Sequence, residues 1–140
     1  MRILIPNVIT PEEAKLLKDK GENFGGQIVI DKIKKIIEAN IPEYISWDKP
    51  SMARIERHPI GHRWHKDKGN DNHMSWCAYG ASILLTDSKR AGYLEYKDGL
   101  KLLPQDHYCS LALHSSDVEH RVEENKDRVA FLSFLQLNND

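Results

Sequence analysis

Apolar residues recur along the first third of the chain at the spacing of a helix face, and along the remainder at the two-residue spacing of strands. In "IVIDKIKKIIEANI", Ile30, Ile33, Ile36 and Ile37 fall together with lysines between them, which predicts an amphipathic helix over about 27–40. Ile3 to Val8 reads as a short opening strand. Thr10 followed by Pro11, Glu12 and Glu13 is a helix start, with a capping hydroxyl, a proline in the first turn and acids near the positive end of the dipole, so a helix is expected over about 11–22. From Glu43 onward the texture changes to short apolar runs punctuated by Gly, Pro, Asn and Asp. Strands are expected over about 52–58, 63–67, 76–86, 93–96, 100–103, 108–113, 119–122 and 128–137. Helices first and strands after predict an α+β, mainly β architecture: a barrel or sandwich over about 43–138, flanked by the strand and helices of about 1–42.

A chain of 140 residues is the size of one domain. Its 20 basic and 21 acidic residues leave a net charge of −1, so no global field draws nucleic acid or an anionic membrane. The start, "MRILIPNVITPEEAKLLKDK", has too short an apolar run for a signal peptide or a spanning helix, and a cytoplasmic protein is expected. Cys77 and Cys109 are neither a disulfide framework nor a CxxC clip and read as small reduced core residues.

The candidate chemistry starts in "GHRWHKDKGNDNH", which holds four of the seven histidines. Residues two apart in a strand share a face, so His65 and Asp67 offer an imidazole and a carboxylate side by side, while Lys66 points away. Further along, "SSDVEHRVEENKDRVAFLSFL" supplies His120 in a short strand and Arg128 at the start of a long apolar one. Two histidines and one carboxylate leave open positions on an octahedral metal, which suits Fe(II) and oxygen chemistry better than a closed zinc site. A dianionic 2-oxo acid that chelates such a metal needs a cation for its far carboxylate, and Arg128 offers a planar, permanently charged fork.

These blocks resemble, in order, the Fe(II)/2-oxoglutarate-dependent oxygenases of the prolyl-4-hydroxylase-like branch. "RIERHPIGHRWHKD" is similar to the family's strand, glycine turn and His-x-Asp. "ASILLTDSKRAGYLEYKDG" is similar to its strand, turn, Gly-Gly and Leu-x-Phe segment, and "LLPQDHYCSLALHSSDVEHRV" to its proline, strand and distal His-x-Val. "IPNVITPEEAKLL" is similar to its usual lead-in. The resemblance covers about 52–135 and implies a double-stranded β-helix, a cupin-like jelly-roll barrel with helices packed on one sheet. It implies iron held by His65, Asp67 and His120, with Arg128 on the far carboxylate of 2-oxoglutarate. Cosubstrate contacts are also implied for His58, which stands where the family usually has tyrosine, and for Tyr79. The usual Gly-Gly is Ala91-Gly92 here, and the His120 to Arg128 interval is tighter than common.

The implied activity is a dioxygenase that uses Fe(II), 2-oxoglutarate and O2, with ascorbate as reductant, and releases succinate and CO2. It would hydroxylate an unactivated C–H bond of a prolyl or other residue in a peptide, or of a free amino acid, without nucleic acid or membrane as partner. The alternatives are an oxidative demethylase of nucleic-acid bases and a non-catalytic metal- or 2-oxoglutarate-sensing barrel. Arg54, Glu56 and His58 share a strand face that can point into the barrel, Trp64 is expected to pack away from the metal, and the polar segment 68–75 is a candidate lid. His62, His73, His107 and His114 read as structural or solvated.

Overall fold

The computed structural model describes residues 1–48, 53–57, 59–68 and 74–138. Its elements begin with β1 (Arg2–Ile5), α1 (Pro11–Lys20), α2 (Gly26–Asn40) and β2 (Ile45–Ser46). There follow β3 (Arg54–Arg57), β4 (His62–His65), β5 (Cys77–Leu84), β6 (Leu94–Tyr96) and β7 (Lys101–Leu102), then α3 (Pro104–His107), β8 (Leu111–Ser115), β9 (His120–Val122) and β10 (Val129–Leu137).

The two long helices form where the Thr10 start signal and the apolar spacing placed them. Thr10 caps α1 reciprocally: its hydroxyl accepts from the Glu13 N–H at 3.1 Å, and the Glu13 carboxylate accepts from the Thr10 N–H at 2.9 Å. The helix ends at Gly21, whose φ of 59° lies in the left-handed region that glycine enters without strain. Ala14 and Leu17 of α1 and Val29, Ile30, Ile33 and Ile37 of α2 are buried against the sheet.

That sheet runs β1-β8-β5-β10, with β10 continuing to β2 along one part of its length and to β3 along another. The second sheet runs β4-β9-β6-β7, and the strand pairings in both are antiparallel. From β3 onward the chain alternates between the sheets, apart from the β6–β7 pair that stays in the second, and this is the double-stranded β-helix. Period-two alternation then divides the large sheet sharply. On β10, Phe131 and Leu135 face the helices, while Ala130, Leu132 and Phe134 face the interior between the sheets; on β8, Leu111 and Leu113 face the helices and His114 the interior. The main apolar core is therefore the helix–sheet layer, and only a small cluster around Leu94, Tyr96, Leu102 and Ala112 lies elsewhere. The space between the sheets is lined by polar groups together with Ala130, Leu132 and Phe134.

Two expectations change and one strand is added. The strand expected over 108–113 starts instead at Leu111, because Pro104 opens the short α3 and Cys109, at φ 60°, turns the chain first. The strand expected over 63–67 ends at His65, with Asp67 in a bend. The short β2 had no periodicity of its own to announce it. Cys77 and Cys109 are buried and unpaired, and among the described residues no helix is long and apolar enough to cross a membrane.

Candidate metal centre

The pairing of β4 with β9 sets His65 directly opposite His120, with ring centroids 4.3 Å apart. Asp67, two residues past His65, returns its carboxylate to the same point: Oδ1 lies 3.2 Å from Nε2 of His120 and 3.8 Å from Nε2 of His65. The ligand atoms of these three residues all lie within 4.8 Å of one another.

Their hydrogen bonds say what the point is built to hold. Nδ1 of His65 donates to the Arg63 carbonyl at 2.6 Å, and Nδ1 of His120 to the Val118 carbonyl at 2.8 Å. With that proton on Nδ1, each neutral ring turns the Nε2 lone pair toward a carboxylate oxygen, so three acceptors converge. Only a cation satisfies such an arrangement, unless one imidazole takes a second proton. Burial works against that proton at His120, but the Asp67 bond and charge outweigh it and raise the pKa. At His65 burial prevails and the pKa is lowered. Burial pushes Asp67 upward, yet its bonds to His114 and His120 hold it well below the usual carboxylate range. Two imidazoles and one ionised carboxylate are the donor set that suits Fe(II) with positions left open.

The other oxygen of Asp67 is also occupied. His114 on β8 donates from Nε2 to Oδ2 at 2.7 Å, and its Nδ1 accepts from the Tyr96 hydroxyl at 3.0 Å. This line fixes the His114 tautomer and turns Oδ1, rather than both oxygens, toward the two ligand histidines. Below it lies Gly80 on β5, where an added Cβ would collide with Oδ2 of Asp67 and sit 2.7 Å from Nε2 of His114. Sequence reasoning read His114 as structural or solvated and did not single out Gly80. The available signal was a histidine at an inward position of the apolar strand "LALHS", where a buried polar group needs a partner. Gly80→Ala is expected to keep the fold and lower iron affinity by roughly 10- to 100-fold, the usual cost of disturbing an outer-shell partner. Calorimetric titration with Fe(II) under nitrogen measures this, and native affinity would remove Gly80 from the site.

Arg128 sits just before β10 and is 8% exposed. Its guanidinium donates to the Ala91 carbonyl at 3.3 Å and to Nδ1 of His107 at 3.4 Å, both neutral, and it makes no ion pair among the described residues. Burial lowers its pKa to about 10, which leaves it charged. His107 is fully buried, and burial followed by the Arg128 charge lowers its pKa to about 3. The unfolded chain therefore binds a proton near pH 6.5 that the native state refuses. Stability is expected to fall as pH drops from about 6.5 toward 3, with His107 contributing on the order of 1 kcal/mol per pH unit. Urea midpoints measured across that window should show a shallower slope for His107→Phe than for the native chain, and equal slopes would refute the assignment.

The metal point and Arg128 open on one cavity of about 350 Å³. Its wall includes Gly80, Ser82, His114 and Ala130 near these groups, and also Leu132, Phe134 and Met74. Arg54 and Glu56 line it as their strand phase predicted, with the Arg54 guanidinium 3.0 Å from one Glu56 oxygen and His62 2.7 Å from the other. His62 thus belongs to β4 and the cavity wall rather than to a turn. Lys66 also reaches the wall, because the chain leaves extended geometry after His65. Trp64 faces outward, covered by Lys97 at 4.4 Å and Arg121 at 5.4 Å.

Tyr79 is placed otherwise than expected. Gly80 and Ser82 take the cavity side of β5, so alternation turns Tyr79 to the opposite face, where its hydroxyl donates to Glu43 at 2.7 Å. It does not line the cavity. The expectation for His58 lies outside the described residues, as do His73 and residues 69–73 of the candidate lid.

No protein-family model and no curated protein matches the chain in sequence. Solved structures do match in fold. A prolyl 4-hydroxylase of Pseudomonas putida aligns at TM-score 0.65 and 13% identity, over 99% of this chain and 87% of that one. A viral collagen prolyl hydroxylase from Paramecium bursaria Chlorella virus 1, in complex with 2-oxoglutarate, aligns at TM-score 0.68 and 13% identity, over 99% and 96%. A prolyl 4-hydroxylase from Phytophthora capsici aligns at TM-score 0.57 and 12% identity, over 94% and 63%. The fold is the jelly roll that these prolyl hydroxylase structures share.

Proposed function

We propose that this protein is an Fe(II)- and 2-oxoglutarate-dependent dioxygenase that hydroxylates an unactivated C–H bond of a prolyl or other amino-acid residue, in a peptide or as the free amino acid. One observation carries the reading: the lone pairs of His65, Asp67 and His120 converge in the same cavity as a buried arginine that makes no ion pair among the described residues. The first feature fits a divalent metal and the second fits a carboxylate held away from it. 2-Oxoglutarate, with a chelating 2-oxo acid at one end and a carboxylate at the other, offers both. Bound Fe(II) supplies the oxygen chemistry that couples decarboxylation of 2-oxoglutarate to hydroxylation, with O2 as oxidant and ascorbate as reductant.

The chain's own residues divide the remaining work. His65, Asp67 and His120 would hold the metal through three protein atoms, and His114 keeps Asp67 in a one-oxygen pose. Arg128 would orient the cosubstrate by its far carboxylate. The substrate end of the cavity is the wall of Leu132, Phe134 and Met74 beside the charged Arg54 and Glu56. An apolar body with charged flanks matches an amino-acid unit, in line with the substrates named for the neighbouring folds.

Protein supplied with Fe(II), ascorbate and 2-oxoglutarate is expected to release succinate, with faster release when the substrate is present. Proline-containing peptides, free proline and methylated oligonucleotides, scored by a mass gain or loss, distinguish hydroxylation from demethylation. Binding of 2-oxoglutarate without succinate from any of them would favour the sensing barrel.

A further inference from the structure

His107 lies at the end of α3, on no face that the strand pattern assigned to it. Its Nδ1 is 3.4 Å from an Arg128 nitrogen, and its Nε2 is 3.1 Å from both the carbonyl oxygen and Oγ of Ser82. A guanidinium carries donors only, so Nδ1 must accept, and the proton of the neutral ring is confined to Nε2, where it is donated to Ser82. In this tautomer the ring has no lone pair left for the Ser82 hydroxyl proton, so the Ser82 and His107 pair is not a nucleophile with its base.

The same tautomer matters for Arg128. A carboxylate in the place of His107 would hold the guanidinium equally well but would cancel its charge. An imidazole nitrogen holds it without cancelling anything, and the Ala91 carbonyl does the same from another side. The cation is thus oriented by neutral acceptors and kept available for a ligand.

We propose that His107 is the positioning residue for Arg128: as the Nε2–H tautomer it aims the guanidinium into the cavity without adding a countercharge, and so sets a preference for 2-oxo acids that carry a distal carboxylate. Ser82, which lines the cavity and accepts from Nε2, keeps its hydroxyl proton free for the same carboxylate. This rests on the 2-oxoglutarate reading above and goes beyond it by naming what makes the site select a dicarboxylate.

The test compares 2-oxoglutarate with 2-oxobutyrate, which lacks the distal carboxylate, by calorimetric titration into Mn(II)-loaded protein. The native chain should prefer 2-oxoglutarate. His107→Phe should lose roughly 10- to 100-fold of affinity for 2-oxoglutarate, the scale seen when a ligand-orienting partner is removed, with 2-oxobutyrate affinity unchanged. His107→Asn, whose amide oxygen falls near the place of Nδ1, should recover most of the preference. If His107→Phe fails to fold, His107→Asn against His107→Gln carries the test: asparagine should keep the preference and glutamine lose it, and equal behaviour overturns the proposal. A native chain with no preference overturns the 2-oxoglutarate reading and this inference together. A native preference that survives in His107→Phe overturns the role of His107 alone. Nitrogen-15 spectra of the metal-free protein at neutral pH should show Nε2 protonated and Nδ1 bare, and the reverse tautomer would overturn the proposal without any ligand.

Discussion

Asp67→Ala should abolish iron binding and all coupled turnover while leaving the barrel folded. Asp67 is the anionic member of the cluster, and without it a divalent ion meets two neutral imidazoles at the end of a buried wall. The loss should therefore exceed the roughly 10- to 100-fold expected for an outer-shell partner. His114→Asn supplies that comparison, since it disturbs only the bond to Oδ2 and leaves the three ligand atoms in place. The expected order of Fe(II) affinity, by anaerobic calorimetry, is native, then His114→Asn, then Asp67→Ala with none measurable. Acid acts on the same atoms with a defined order. Asp67 stays ionised well below the usual carboxylate range, so protons compete with metal at His120, whose pKa is raised, before His65, whose pKa is lowered. Native iron affinity in Asp67→Ala would end the metal assignment, because no other carboxylate belongs to the cluster among the described residues.

The parts of this site that the sequence made legible are those that depend on local spacing. His65 and Asp67 are neighbours because they lie two residues apart, and that survives even though β4 ends between them. The helices were legible because their apolar spacing and the Thr10 cap act within one turn or two. What stayed hidden depends on register between strands distant in the chain. Gly80 lies opposite His114 only because β5 pairs with β8 in one particular alignment, and alternation within either strand does not contain that alignment. Tyr79 shows the same limit from the other side. Period two places Tyr79 and Gly80 on opposite faces but does not say which face is inside, and the crowding of Asp67 against Gly80 decides it. His107 escaped because Pro104 opens a helical turn between the strands expected over 100–103 and 108–113, and no strand face there assigns the side chain a direction.

Arg128→Met should show opposite signs in two measurements, and that opposition separates a ligand-binding residue from a structural one. A buried guanidinium costs folding free energy, since its desolvation is offset here by neutral acceptors and the charge of Glu56. A methionine of similar length removes the charge and fills the same space, so the urea midpoint of the metal-free variant should stay level or rise. Affinity for 2-oxoglutarate should fall steeply. Charge-assisted hydrogen bonds contribute about 1.5–3 kcal/mol each, and losing a two-pronged contact therefore costs on the order of 100-fold or more. Iron affinity, which the proposal assigns to residues on β4, β9 and the bend after β4, should change little. A variant that unfolds more easily and still binds 2-oxoglutarate as the native chain does would make Arg128 a packing residue and move the carboxylate site elsewhere. A variant that is as stable as the native chain, keeps iron and no longer retains 2-oxoglutarate would explain why a fold this small keeps a bare cation in its interior.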